Sequence, residues 1–184
     1  GKTTAAMGMG FRAAGHGYRV HMLQFMKGGA DSVDDVRGEY NAIAAMPGFS
    51  YENTGHYGWH NMADGSREED HESEADAALE RTRDLVAAAT DADLDSPFAL
   101  DSDPADGVHM LILDEILYAA DRELVAPEVV CELIDDKPAG LELVLTGSHS
   151  EPRYLDEHAD LISEISKHKH PIDAGQRARS GTEY

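Results

Sequence analysis

Cysteine is almost absent from this sequence. Cys131 stands alone in 184 residues, so neither an intrachain disulfide framework nor a thiolate metal cluster is available. Long apolar runs are missing too: none approaches the roughly 20 residues that cross a bilayer, and no secretory leader is visible. Positive charge is scarce, with 15 Lys and Arg against 36 Asp and Glu, for a formal net charge of −21. That balance disfavours nucleic acid and anionic membranes as partners. The acid is spread along the whole chain, and its self-repulsion is mostly screened near 1 M salt, where the Debye length falls to about 3 Å. The composition therefore predicts a salt-adapted (halophilic) protein. Aromatics make up only 7% of the chain, and many gather in one stretch, at Phe49, Tyr51, Tyr57 and Trp59.

What is present reads as one domain, residues 1–184, large enough to bury a core. Ala5 to Ala14 reads as a helix, stopped by Gly15-His16-Gly17. Tyr18 to Phe25 is rich in β-formers and ends at Lys27-Gly28-Gly29. Val33 to Met46 reads as a helix closed by Pro47-Gly48, and Phe49 to Met62 as an irregular segment. Ser66 to Thr90 has helical spacing, with Ala78, Leu79, Leu85 and Val86 apolar and an acidic, solvated first half. Asp91 to Gly107 is an acidic surface loop. Val108 to Leu113 is a continuous apolar run of the kind buried on both faces of a parallel sheet. A helix over Pro127 to Asp135, a strand over Leu141 to Leu145, a helix around Arg153 to His158 and a strand around Leu161 to Ile165 complete the pattern, before a polar tail from Lys167. Strands alternating with helices predict an α/β fold with a mostly parallel sheet flanked by helices.

The sequence opens on Gly1-Lys2-Thr3-Thr4, the second half of the phosphate-loop pattern G-x-x-x-x-G-K-[ST]. We therefore expect a chain truncated at its N-terminus, without the front of that loop and the strand before it. In such loops backbone N–H groups and the lysine surround phosphates, while the hydroxyl after the lysine holds Mg²⁺. The following helix places its positive N-terminus at the same point. Ligands of parallel α/β sheets bind beyond the strand C-termini, which brings Lys2, Asp114 and Thr146 to one edge. Asp114-Glu115, ending an apolar strand, supplies the carboxylates a hard dication prefers. A nucleotide-binding P-loop fold and a cytoplasmic location follow from these features. Two further patterns carry less. His56 and His60 are spaced i, i+4, with His168 and His170 near the end, but no Cys or acidic partner completes a transition-metal set. Ser148-His149-Ser150 lacks the strand-turn-helix elbow of a serine nucleophile. The aromatic stretch reads as packing or as a flat apolar binding surface.

Taken in order, several segments together resemble one family, the P-loop ATP:corrinoid adenosyltransferases of cobalamin synthesis and salvage. They are Gly1-Lys2-Thr3-Thr4-Ala5-Ala6, Arg12-Ala13-Ala14-Gly15-His16-Gly17, Gln24-Phe25 with Lys27-Gly28, and Gly48-Phe49-Ser50-Tyr51-Glu52. They continue with Leu113-Asp114-Glu115, Thr146-Gly147, Ala159-Asp160-Leu161-Ile162-Ser163-Glu164, Lys169-His170-Pro171, Asp173-Ala174-Gly175 and Gly181-Thr182-Glu183-Tyr184. The resemblance thus runs from the first residue to the last and implies that the C-terminus is complete.

The resemblance implies a RecA-like P-loop fold and a transferase that joins the 5′ carbon of ATP to the Co(I) of a reduced corrinoid, releasing triphosphate. Gly1, Lys2, Thr3, Thr4, Thr146 and Gly147 would bind the nucleotide. Lys2 would also stabilise charge developing on the triphosphate. Thr3, Asp114 and Glu115 would hold Mg²⁺ or Mn²⁺. Phe49 and Tyr51 would form the apolar wall where the lower axial ligand of cobalt sits. A reductase or reduced flavoprotein would supply electrons, and a homodimer is the expected assembly. This sequence departs from the family pattern in three places. Ser148 follows Thr-Gly where an arginine is usual, with Arg153 as the candidate substitute. Tyr51 stands where Trp is usual. The 91–107 loop is longer than expected, and as an acidic insertion it should be removable with little effect on activity in high salt. The rival readings are a generic P-loop ATPase or kinase, and a nucleotide- or corrinoid-binding module without catalysis.

Overall fold

A computed structural model describes residues 1–27, 38–55, 67–95, 99–177 and 179–182. Its centre is a four-stranded, all-parallel sheet of β1 (Val20–Gln24), β2 (Phe49–Asn53), β3 (Met110–Asp114) and β4 (Glu142–Leu145), in the order β2-β1-β3-β4. The two inner strands are buried at all five positions. They bond a neighbour on each side, which is why they read as unbroken apolar runs. Register pairs Val20 with Phe49 and Met110, and Gln24 with Asn53 and Asp114.

Alternate side chains of these strands feed two cores on opposite faces. On one face Val20, Met22, Met110, Ile112 and Phe49 pack against Ala6, Ala13 and Ala14 of α1 (Lys2–Gly15) and Ile43 of α2 (Gly38–Ala44). The buried stripe of α1 is made of small residues, so the helix lies close to the sheet. A Cβ on Gly10 would come within 2.7 Å of the Phe49 ring. On the other face Leu23, Leu111 and Leu113 pack against α3 (Glu68–Asp91), α4 (Ile116–Asp121) and α5 (Pro127–Asp136). Helix α3 buries His71, Ala75, Ala78, Leu79, Thr82, Leu85, Val86 and Ala89, a stripe at three- and four-residue spacing. Its acidic first turn, Glu68, Glu69 and Asp70, lies at the positive end of the helix dipole. Pro127 opens α5 in the first turn, where a missing N–H costs nothing.

The expected α/β class with a parallel sheet is observed, and it is consistent with a P-loop nucleotide-binding domain. Several elements differ from expectation. The segment read as irregular from Phe49 opens with an edge strand, β2. Helix α4 was not anticipated. The helix expected around Arg153 to His158 is one 3-10 turn over Arg153–Leu155. Leu161 to Ile165 forms no strand; it runs exposed, with Leu161 at 79%. The 91–107 loop lies on the surface but is anchored. Leu100 accepts from Gly48 N–H, and the buried Arg19 guanidinium donates to the carbonyls of Gly107 and Ser102. Burial lowers the Arg19 pKa, opposed by Asp106 and Asp103.

Candidate active site

From β1 the chain passes to β2 on one side, then returns to place β3 on the other. The order switches between β1 and β3, and ligands of such sheets bind beyond the strand C-termini at that point. Gln24 and Asp114 end these two strands as register partners. Asp114 is fully buried, so its carboxylate must be partnered by protein. Thr146 Oγ1 donates to its Oδ1 at 2.6 Å. Gln24 Nε2 at 2.8 Å and Thr3 Oγ1 at 3.2 Å donate to its Oδ2. Lys27 Nζ lies 3.4 Å from the same oxygen. One carboxylate thus gathers the first turn of α1, the ends of β1 and β3, and the residue after β4.

Glu115 follows at φ 65°, a left-handed conformation that costs a non-glycine residue energy and tends to persist at functional sites. It is held there by its own N–H, which donates to Thr146 Oγ1 at 3.1 Å. Its Oε1 is 3.8 Å from Lys27 Nζ, while its buried Oε2 has no hydrogen-bond partner.

Gly147 has φ 130°, and a Cβ there would sit 2.4 Å from the Tyr118 backbone nitrogen, so only glycine fits against the start of α4. Ser148 turns at φ 21°, and its carbonyl accepts from Lys2 Nζ at 3.0 Å. Asp121, at the end of α4, fastens this turn by accepting from His149 N–H and from the hydroxyls of Ser148 and Ser150. Burial works against the Asp121 charge, but these donors outweigh it and its pKa falls below the usual value. At the start of α1, Gly1 caps the helix without a side chain, and the first turn carries no acid. As at any helix start, the first N–H groups have no acceptor within the helix. With Lys2 beside them, they form a positive end suited to an anion.

A family model described as ATP:corrinoid adenosyltransferase BtuR/CobO/CobP matches residues 1–184. A corrinoid adenosyltransferase of Pseudomonas aeruginosa is 30% identical, the alignment taking in 100% of this chain and 78% of that protein. The corrinoid adenosyltransferase of Escherichia coli K12 is 29% identical over 100% of this chain and 80% of its own length. The corrinoid adenosyltransferase CobA of Salmonella typhimurium is 31% identical with the same two coverages, 100% and 80%.

The chain belongs to the ATP:corrinoid adenosyltransferase family.

Of the residues assigned from the sequence, Lys2, Thr3, Asp114, Glu115, Thr146 and Gly147 meet at one edge, with Gly1 and Thr4 beside them at the head of α1. Phe49 and Tyr51 are not brought there. Phe49 opens β2 at the far end of the sheet, 6% exposed, and packs against α1 at Gly10. Tyr51 points to the same face and stacks on Tyr40 of α2, with ring centroids 4.6 Å apart. In this conformation both aromatics serve packing. Arg153, the candidate for the arginine's place, is held by a near neighbour in this conformation. It is 77% exposed and pairs with Glu151 at 2.9 Å. His56, Tyr57, Trp59 and His60 lie outside the described residues, as do Gly28 and Gly29. Among the described residues no cluster of three or more His, Cys, Asp or Glu is arranged to hold a metal ion, and no helix is long and apolar enough to cross a membrane.

Gln24 and Lys27 also reach Asp114, although the sequence assigns neither of them a role at the site. The linear signal was a polar residue closing an apolar strand, followed three residues later by a lysine; the register with Asp114 shows only in the fold.

Proposed function

We propose that this chain transfers the 5′-deoxyadenosyl group of ATP to the Co(I) of a reduced corrinoid. The cobalt–C5′ bond forms as the C5′–O bond breaks, and the bonding pair leaves on the triphosphate oxygen. The observation that carries the reading is the meeting of Lys2, Thr3, Asp114, Glu115 and Thr146 at the sheet's switch point, in a chain matched over its whole length by the adenosyltransferase family.

Each group has work to do in that step. Lys2 and the N-terminus of α1 bind the triphosphate and stabilise the charge it gains on leaving. Lys2 is held by a backbone carbonyl, a weak partner that a phosphate oxygen readily replaces. Thr3, Asp114 and Glu115 form a set of oxygen donors that fits Mg²⁺ or Mn²⁺, and the unpartnered buried Oε2 of Glu115 is a donor without another role. Such an ion, when bound, neutralises part of the triphosphate charge. Thr146 fixes the Asp114 carboxylate through its hydroxyl and the Glu115 backbone by accepting from Glu115 N–H. Co(I) is itself the nucleophile, so the site supplies alignment rather than a general base. A reductase or reduced flavoprotein as electron donor, a homodimeric assembly, a cytoplasmic location and adaptation to high salt belong to the same proposal.

An ATPase or kinase on this edge would need a group to orient water or an acceptor hydroxyl. Asp114, the buried acid here, is given to the dication in this reading, so it does not serve as that group. Binding provides the test, in protein that includes the whole eight-residue phosphate loop. Inorganic triphosphate should compete with ATP in a Mg²⁺-dependent manner, and Lys2→Ala should abolish that competition. Triphosphate that fails to compete, with ADP competing well, would favour the hydrolase or kinase.

A further inference from the structure

Lys27 is not an ordinary surface lysine. Its side chain is only 10% exposed, and its ammonium stands 3.4 Å from Asp114 Oδ2 and 3.8 Å from Glu115 Oε1. The backbone that carries it is built to hold this position. Phe25 N–H donates to the Asp114 carbonyl at 2.9 Å, and Lys27 N–H donates to the Thr54 carbonyl at 2.7 Å. Met26 between them is left-handed at φ 60°. Gly55 lies so close that a Cβ on it would be 2.6 Å from Met26 Cα. The turn after β1 is thus clamped against the segment after β2, and it delivers one cation to the two carboxylates of the switch point.

Those carboxylates are the ones the proposed function gives to the dication, and the inference rests on that reading. An ammonium and a divalent ion within 4 Å of the same oxygens repel strongly in a poorly solvated site. We propose that Lys27 is a second triphosphate-binding lysine, which exchanges places with the dication. It pairs with Asp114 and Glu115 until the dication takes them, then turns its flexible stem to the triphosphate on the same edge. Lys2 and Lys27 would then hold the leaving group from two sides, one from the helix and one from the sheet.

Two binding constants with opposite signs test this. Lys27→Met keeps the apolar stem and removes the charge. Free Mn²⁺, followed by electron paramagnetic resonance without nucleotide, should bind the variant about tenfold more tightly, since no resident cation opposes it. Inorganic triphosphate, titrated calorimetrically at saturating Mn²⁺, should bind it about tenfold more weakly. A lysine that only supports the fold would give no gain in Mn²⁺ affinity, and unchanged or weaker Mn²⁺ binding overturns the proposal. Should the variant not fold, acetylation of the Lys27 amine in the unmodified protein decides, read by peptide mass spectrometry. Labelling should rise with Mn²⁺ alone and fall again with Mn²⁺ and triphosphate, whereas equal labelling in all three conditions overturns it. Unmodified protein that binds no triphosphate at all would instead bring down the phosphate-site reading itself.

Discussion

At the scale of single residues, what a buried side chain touches separates site candidates from packing. Phe49 fills the space left by Gly10 between α1 and the sheet. Phe49→Ala should therefore destabilise the protein by about 3–5 kcal/mol, measured by urea denaturation. If Phe49 were instead a wall beneath the corrinoid, the same variant would keep most of its stability and lose corrinoid affinity. His21 gives a pH prediction. It is 1% exposed, with Nδ1 2.8 Å from Ser50 Oγ and Nε2 3.4 Å from Glu52, which is itself bound by Arg81. Burial lowers its pKa to about 4; Glu52 opposes the shift, while Arg81 and Arg19 add to it. The unfolded chain takes up this proton near pH 6.5, before the native protein does. Stability from a neutral buried His21 is thus complete above pH 6.5 and lost as pH falls towards 4. Each unit of depression is worth about 1.4 kcal/mol, so the loss across that window is a few kcal/mol. His21→Gln should flatten the urea midpoint between pH 6.5 and 4.5; an unchanged slope would remove His21 as its source.

At the scale of elements, what the sequence revealed depended on how completely each element is buried. The inner strands carry five buried positions each, and Val108 to Leu113 was legible as such because nothing interrupts its apolar run. Among the described residues strand β2 is an edge, paired with β1 alone, and its Phe-Ser-Tyr-Glu-Asn alternation was absorbed into the aromatic segment that follows. The reverse error came from Leu161, Ile162 and Ile165, which are apolar enough for a strand but find no pairing partner and stay exposed. In the site, the residues of the phosphate-loop pattern and the acids ending β3 were legible because their chemistry is local. Gln24 and Lys27 matter only through register with β3, which no linear pattern states. The 91–107 loop is the element whose role changes most. Removing 95–103 takes the Ser102 carbonyl from the buried Arg19 and the Leu100 carbonyl from Gly48. Breaking a buried charge's partners costs a few kcal/mol, so the deletion should lower the melting temperature by several degrees even in molar KCl. A melting temperature unchanged by the deletion would restore the loop to a dispensable insertion.

At the scale of the whole molecule, the charge of −21 acts on everything at once. The exposed ion pairs, such as Arg153–Glu151 and Lys167–Asp173, contribute little in water and less in salt. Repulsion among the remaining carboxylates dominates and is screened by salt. Stability should accordingly rise between 0.1 and about 2 M KCl and then level off as the Debye length drops below the spacing of surface charges. A fall over that range would refute salt adaptation. Screening at this level weakens exposed contacts far more than the buried cluster around Asp114, so triphosphate binding should survive it.

The central claim is that this switch point binds ATP by its triphosphate and presents the 5′ carbon to cobalt. It is tested most directly under anaerobic conditions in molar KCl, with Mg²⁺, ATP, a chemically reduced corrinoid and protein that includes the whole phosphate loop. Adenosylcorrinoid is followed by its absorbance and the phosphate product by phosphorus NMR. The account predicts one triphosphate released for each cobalt–carbon bond formed, with both products lost in Lys2→Ala. ADP and phosphate without adenosylcorrinoid would contradict it.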